Sequence, residues 1–168
     1  MISGIILIDT KTLEQKVLER ILTALNDSCI YDSVLVLDHR HHGADPSNGF
    51  QVKSVVNDDN TSNQLNAIVR GYELLDQQNL HGVMVCPTSQ PNISQSFLVD
   101  LLQGYWKLGK NIVVPHIHGG RNVPMVFDKS LVEEMKTDAR SRTIDEFLTH
   151  HPDDIVEISL ELERNAGT

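Results

Sequence analysis

The chain has 168 residues, 40% of them hydrophobic, which suits one soluble domain with a core of its own. Its apolar runs are only a few residues long, which excludes a membrane-spanning helix. A net charge of −9 with scattered basic residues argues against nucleic acid as a partner.

Residues 5–8 (I-I-L-I) form an aliphatic run without polar alternation, as expected of a strand covered on both faces. No basic stretch precedes it, so it reads as a strand and not as part of a signal peptide. Cys29 and Cys86 lack metal or redox spacing, and a reducing, cytoplasmic location is expected. Asp9 and Thr10 end the strand. Thr12 and Gln15 have capping-box spacing, and Leu13, Val17, Leu18, Ile21, Leu22 and Leu25 give one helical stripe.

A second buried strand is expected over 33–37 (S-V-L-V-L), then a loop with His39, His41, His42, Pro46 and Gly49. A short third strand is expected over 51–56 and a polar turn over 57–60. Thr61 and Gln64 repeat the capping box, with Leu65, Ile68, Val69, Tyr72 and Leu75 as the stripe behind it.

Residues 82–86 (G-V-M-V-C) read as the next strand, with Cys86 as a small buried hydrophobe. A turn with Pro87 and Pro91 follows. Ser94 then caps a helix whose inner side carries Phe97, Leu98, Leu101, Leu102, Tyr105 and Trp106. Further strands are expected over 111–115 and 123–127, and a short helix to Met135 capped by Asp128 or Ser130. Thr143 and Glu146 open a last helix, and 155–160 form a closing strand. This alternation predicts a single α/β domain over 1–168, Rossmann-like, with a mostly parallel central sheet between layers of helices. Chemistry in such folds gathers at the carboxyl ends of the strands.

Four stretches resemble, in order and spacing, the molybdenum-cofactor nucleotidyltransferases. Residues 82–94 (G-V-M-V-C-P-T-S-Q-P-N-I-S) resemble a strand ending in L-x-x-D-Q-P before a capped helix. Residues 111–115 (N-I-V-V-P) and 119–127 (G-G-R-N-V-P-M-V-F) resemble I-V-x-P followed by G-R-x-G-H-P-V-L-F. Residues 57–71 resemble N-x-x-x-x-x-G-x-x-x-S-L-x-x-G, and 131–152 resemble the family's short helix, acidic turn and following helix. The resemblance implies a three-layer, Rossmann-like nucleotidyltransferase fold. It also implies transfer of a nucleotide from GTP or CTP to molybdopterin, by in-line attack of an acceptor phosphate on the α-phosphorus with pyrophosphate leaving.

The chain departs from that pattern where the chemistry would sit. The family's L-A-A-G-x-S-x-R-M-G is replaced by Leu7-Ile8-Asp9-Thr10-Lys11 leading into a helix, with no glycine-rich row of backbone N–H groups to cradle phosphates. The metal-binding Asp before Gln-Pro is Ser89, a poor ligand for magnesium. Asn122-Val123 replaces Gly-His, Ser62 or Asn63 replaces a glycine, and the C-terminal D-I-D-T-P has no counterpart.

The resemblance therefore implies a nucleotidyltransferase-like protein that has lost catalysis and binds a ligand, such as a nucleotide, or a protein partner. The candidate ligand-binding residues are Asp9, Thr10, Lys11, Asn57, Ser62, Asn63, Ser89, Gln90, Pro91, Arg121 and Asn122. None is assigned a catalytic role. One alternative is an active transferase with a rebuilt magnesium site, its carboxylates drawn from Asp9 and from Asp58 or Asp59. Another is a metal-binding protein using His39, His41, His42, His116 and His118, since imidazole is the commonest transition-metal ligand. The plain structural readings are a solvated histidine loop, an acidic turn favoured by a helix dipole, and an inherited turn at Gln90-Pro91.

Overall fold

Every residue of the first strand, β1 (Ile2–Ile8), is buried, because strands flank it on both sides and helices cover both faces of the sheet. The computed structural model describes residues 1–8, 14–38, 50, 52–57, 63–89, 94–109, 111–116 and 123–159. After β1 come α1 (Gln15–Asp27), β2 (Ser33–Asp38), β3 (Lys53–Asn57), α2 (Gln64–Leu74), β4 (Gly82–Pro87) and α3 (Gln95–Leu108). The chain continues with β5 (Ile112–Pro115), β6 (Met125–Asp128), α4 (Lys129–Met135), α5 (Ile144–Thr149), a short 3₁₀ turn (Pro152–Asp154) and β7 (Ile155–Ile158). Among the described residues no helix is long and apolar enough to cross a membrane.

The strands form one seven-stranded sheet in the order β3-β2-β1-β4-β6-β5-β7. β1 pairs in parallel with β2 and β4, β2 with β3, and β5 with β7. Only β6 runs against its neighbours, antiparallel to β4 and β5. The α/β fold expected from the alternation is the one observed.

Period-two alternation divides the buried strands between two cores. Ile6, Ile8, Leu35, Leu37, Met84, Cys86, Val113 and Val126 pack against Leu18, Ile21 and Leu25 of α1 and Phe97, Leu98 and Leu101 of α3. Ile5, Leu7, Val34, Val36, Val83, Val85, Ile112 and Phe127 point the other way, to Leu65, Ile68 and Tyr72 of α2, Leu131 and Val132 of α4, and Phe147 of α5.

Three caps stand where the sequence places them. Ser94 Oγ accepts from Phe97 N at 3.3 Å, Thr143 Oγ1 from Glu146 N at 3.1 Å, and Asp128 Oδ2 from Ser130 N at 3.0 Å. The caps expected at Thr12 and Thr61 are displaced by two residues, to Glu14 and Asn63. At α2 the reason is visible: Asn63 Oδ1 accepts from Asn66 N at 3.0 Å. Gln64 does not fold back to a cap but accepts from Ile144 N at 2.9 Å with its Oε1, joining α2 to α5.

The third strand covers Lys53–Asn57 instead of 51–56, and the last ends at Ile158. Trp106 is a clearer correction. It was expected in the core beside Tyr105, yet it is 55% exposed, its ring meeting His81 and Tyr105 only edge-on. Tyr105 takes the inner position alone. Its hydroxyl donates to Asp128 Oδ1 at 2.5 Å, with the His81 carbonyl 3.2 Å away.

Leu101→Ala is expected to cost about 2–5 kcal/mol in urea denaturation, as a fully buried leucine does, whereas Trp106→Ala stays within about 0.5 kcal/mol of the parent. Burial alone would raise the Asp128 carboxyl, but hydrogen bonds from Ser130 and Tyr105 outweigh it and hold the group below its ordinary value. A depressed carboxylate pKa stabilises the fold above the unfolded value and loses that contribution as pH falls through the folded one. Denaturation midpoints should therefore drop on acidification below about pH 4, and Tyr105→Phe should shrink Asp128's share of that drop.

Candidate functional site

Because β1 to β5 and β7 all point one way, their carboxyl ends share one edge of the sheet: Ile8, Asp38, Asn57, Pro87, Pro115 and Ile158. Register fixes the order along it. Ile8 lies opposite Leu37, Asp38 opposite Asn57, and Leu7 opposite Pro87. Past β4, Thr88 N donates to Leu7 O at 3.0 Å and holds the first turn residue against β1. Thr88 is buried and Ser89 exposed. Segments 9–13, 39–49, 58–62, 90–93 and 117–122, outside the described residues, each follow one of these strand ends in the chain.

Asp9, Thr10, Lys11, Ser62, Gln90, Pro91, Arg121 and Asn122, together with Asp58, Asp59, His39, His41, His42 and His118, therefore lie outside the described residues. Four of the expected site residues lie within them. Asn57 is buried at the end of β3. Asn63 spends its side-chain oxygen on capping α2, a structural task. Ser89 is the second residue past β4. His116 continues the ladder past β5, its N–H donating to Ile158 O at 2.8 Å, while its Nδ1 lies 3.3 Å from Glu157 Oε2. Among the described residues, no three His, Cys, Asp or Glu side chains gather as a metal cluster.

Two carboxylates at this edge escaped the sequence reading. Asp38 ends β2 in a half-buried position, and its only signal was an acidic residue closing an apolar run. Glu157 is on β7, where the pairing with β5 that brings it to His116 has no local sequence mark. An open groove of about 380 Å³ also lies between α1 and α3, lined by Lys16, Glu19, Arg20, Asp27, Ser94 and Gln95, with Gln95 Nε2 donating to Asp27 O at 2.9 Å.

The sequence profile of the MobA-like NTP transferase domain matches residues 10–155. The chain belongs to this family. No curated protein sequence matches it. Among solved structures, Rv0371c from Mycobacterium tuberculosis H37Rv superposes with a TM-score of 0.76 at 14% identity, over 95% of this chain and 88% of that one. The same mycobacterial protein in complex with manganese gives a TM-score of 0.64 at 16% identity, over 95% and 88% of the two chains. The 4-diphosphocytidyl-2C-methyl-D-erythritol synthase of Anaerococcus prevotii gives 0.67 at 15% identity, over 96% and 90%. At these identities the likeness shows the fold that the MobA-like NTP transferase domain shares with them.

Cys86 lies on the inner side of β4 near this edge, fully buried, and burial pushes its thiol up to about 12. Cys29 is exposed just past α1, at a backbone φ of 64°. Since the thiolate is the reactive form and must be reachable, the native protein should release one equivalent of thionitrobenzoate with Ellman's reagent, from Cys29. The second should follow only on unfolding.

Proposed function

We propose that the chain is a nucleotidyltransferase-like protein related to the molybdenum-cofactor cytidylyl- and guanylyltransferases that no longer transfers nucleotides. It acts by binding a ligand at the carboxyl edge of its sheet, or a protein partner. The observation that carries this reading is the passage from β1 to α1. β1 ends at Ile8 and α1 begins at Gln15, so residues 9–14 (D-T-K-T-L-E) make the whole connection, without a glycine.

A cradle of successive backbone N–H groups needs residues that reach the left-handed region, which glycine enters at no steric cost. The helix it would feed opens on Glu14, whose side chain makes no capping bond. A carboxylate at that position competes with phosphate for the positive end of the helix dipole. The donors past β4 do not fit magnesium either, because Thr88 and Ser89 offer neutral hydroxyls where a hard cation takes carboxylates. The likeness of 111–127 to the molybdenum-cofactor enzymes supports descent from that branch of the family.

Asp38 favours a second reading. It puts a carboxylate at the edge, beside Asn57, as an active transferase with a rebuilt metal site requires.

Calorimetric titration with CTP and with GTP, each with and without magnesium, separates the two. The silent reading predicts no saturable magnesium-dependent heat up to about 1 mM nucleotide, the upper end of ordinary KM values. Magnesium-dependent binding in the micromolar range, lost in Asp38→Asn, would overturn it in favour of the rebuilt site.

A further inference from the structure

The N-terminus of α2 is occupied from within the chain. Lys53 Nζ, at the start of β3, donates to Leu74 O at the far end of α2 at 3.5 Å. The first turn of α2 therefore lies at the other end of the sheet, at the carboxyl edge past Asn57. The N–H groups of a helix's first turn have no partner inside the helix, and beside the positive end of the dipole they make a seat for an anion. Here they are taken. Gln64 N and Leu65 N both donate to Arg142 O, at 2.8 and 3.4 Å. Asn66 N donates to Asn63 Oδ1 at 3.0 Å.

Arg142 is held in that place by the turn between α4 and α5. Asp138 Oδ1 accepts from Arg140 N at 2.8 Å and from Ser141 N at 3.2 Å. Ser141 is buried, its Oγ 2.8 Å from His150 Nδ1. Gln64 ties turn and helix together in both directions. Its N–H goes to Arg142 O, and its Oε1 accepts from Ile144 N at 2.9 Å. A carbonyl oxygen carries partial negative charge, so at the positive end of α2 it stands where a ligand's oxygen would. A phosphate or carboxylate entering there must displace it and leave the carbonyl without its donors.

We propose that the Arg142 carbonyl is a built-in occupant of the anion seat on α2, latched by the Gln64 side chain, and that it makes the carboxyl edge selective against ligands gripped there through a phosphate or carboxylate. The inference deepens the proposed binding role and rests on it for the place where a ligand sits. Helix α1 acts in the same sense, because it opens on the carboxylate of Glu14.

The test is amide-resolved NMR on the full chain, with hydrogen exchange and a titration with inorganic pyrophosphate, on the parent, Gln64→Ala and Gln64→Glu. In the parent the amides of residues 64 and 65 should be protected from exchange, as those of an open helix end are not. Pyrophosphate added to about 1 mM, the upper end of ordinary KM values, should leave the signals of residues 64–66 in place. Gln64→Ala takes the acceptor from Ile144 N and should speed its exchange about fivefold or more, the scale of a donor left without its partner. Gln64→Glu keeps an acceptor oxygen and should stay within about twofold of the parent. Three results would overturn the proposal: free exchange at residues 64 and 65 in the parent, saturable pyrophosphate shifts at residues 64–66, or parental exchange of Ile144 in Gln64→Ala. Magnesium-dependent nucleotide binding that leaves residues 64–66 unmoved would end the silent reading and support the occupied seat, so the two fail separately.

Discussion

The position of β1 governs what the carboxyl edge of this protein can hold. Its peptide groups are shared between β2 and β4 in two parallel ladders, and each of its side chains is buried. A slip of one residue would exchange Ile6 and Ile8 for Ile5 and Leu7 and present each helical layer with the wrong set. The strand is therefore locked in register, its last residue is Ile8, and α1 must start within reach of that point. Helix α1 is held in turn by Leu18, Ile21, Ala24 and Leu25, all buried against the sheet. With both ends pinned, the connection is as long as the chain makes it. Any phosphate-binding capacity of that loop is set by residues 9–14 alone.

The same logic explains what the sequence disclosed and what it withheld. The strands at 5–8, 33–37, 82–86 and 111–115 were legible because strands buried on both faces need unbroken apolar runs. Ser94, Thr143 and Asp128 were legible as caps because a cap is a local bond, closed within three residues. Thr61 misled because the capping-box pattern assumes that its glutamine folds back. Gln64 instead satisfies the N–H of Ile144, eighty positions away, a partner that no local pattern reveals. Trp106 misled because helical spacing tells which side chains share a stripe but not where the stripe meets solvent. The buried stripe of α3 runs through Phe97, Leu98, Leu101, Gly104 and Tyr105, and Trp106 falls on its exposed flank.

At the candidate site the legibility differs by residue. Asn57 closes β3 and Ser89 stands two residues past β4, so each could be placed at a strand end. Asp38 was passed over because one acidic residue at the end of a strand looks like the first residue of a loop. Glu157 was beyond reach for another reason. Its meeting with His116 depends on β5 pairing with β7 after β6 has been inserted on the other side of β5. Strand order is a property of the assembled sheet and leaves no periodicity in either segment.

The family-like motif residues differ in how tightly packing constrains them. A Cβ at Gly71 would lie 2.9 Å from Val36 Cγ2 and 3.0 Å from Ile5 Cγ2, so α2 could not rest on β1 and β2 with a larger residue there. One at Gly82 would lie 2.6 Å from the Phe127 carbonyl, inside the β4–β6 ladder. Phe127 itself is fully buried and meets Phe147 edge to face. These positions answer to packing, where a single added or lost methyl group is felt throughout a close-packed core. Ser89 answers to nothing of the kind. It is exposed past the end of β4, where a carboxylate and a hydroxyl sit equally well as far as the core is concerned. Selection on stability therefore guards Gly71, Gly82 and Phe127 whether or not the protein transfers a nucleotide. Position 89 is not under that packing constraint, so the core does not decide which side chain stands there.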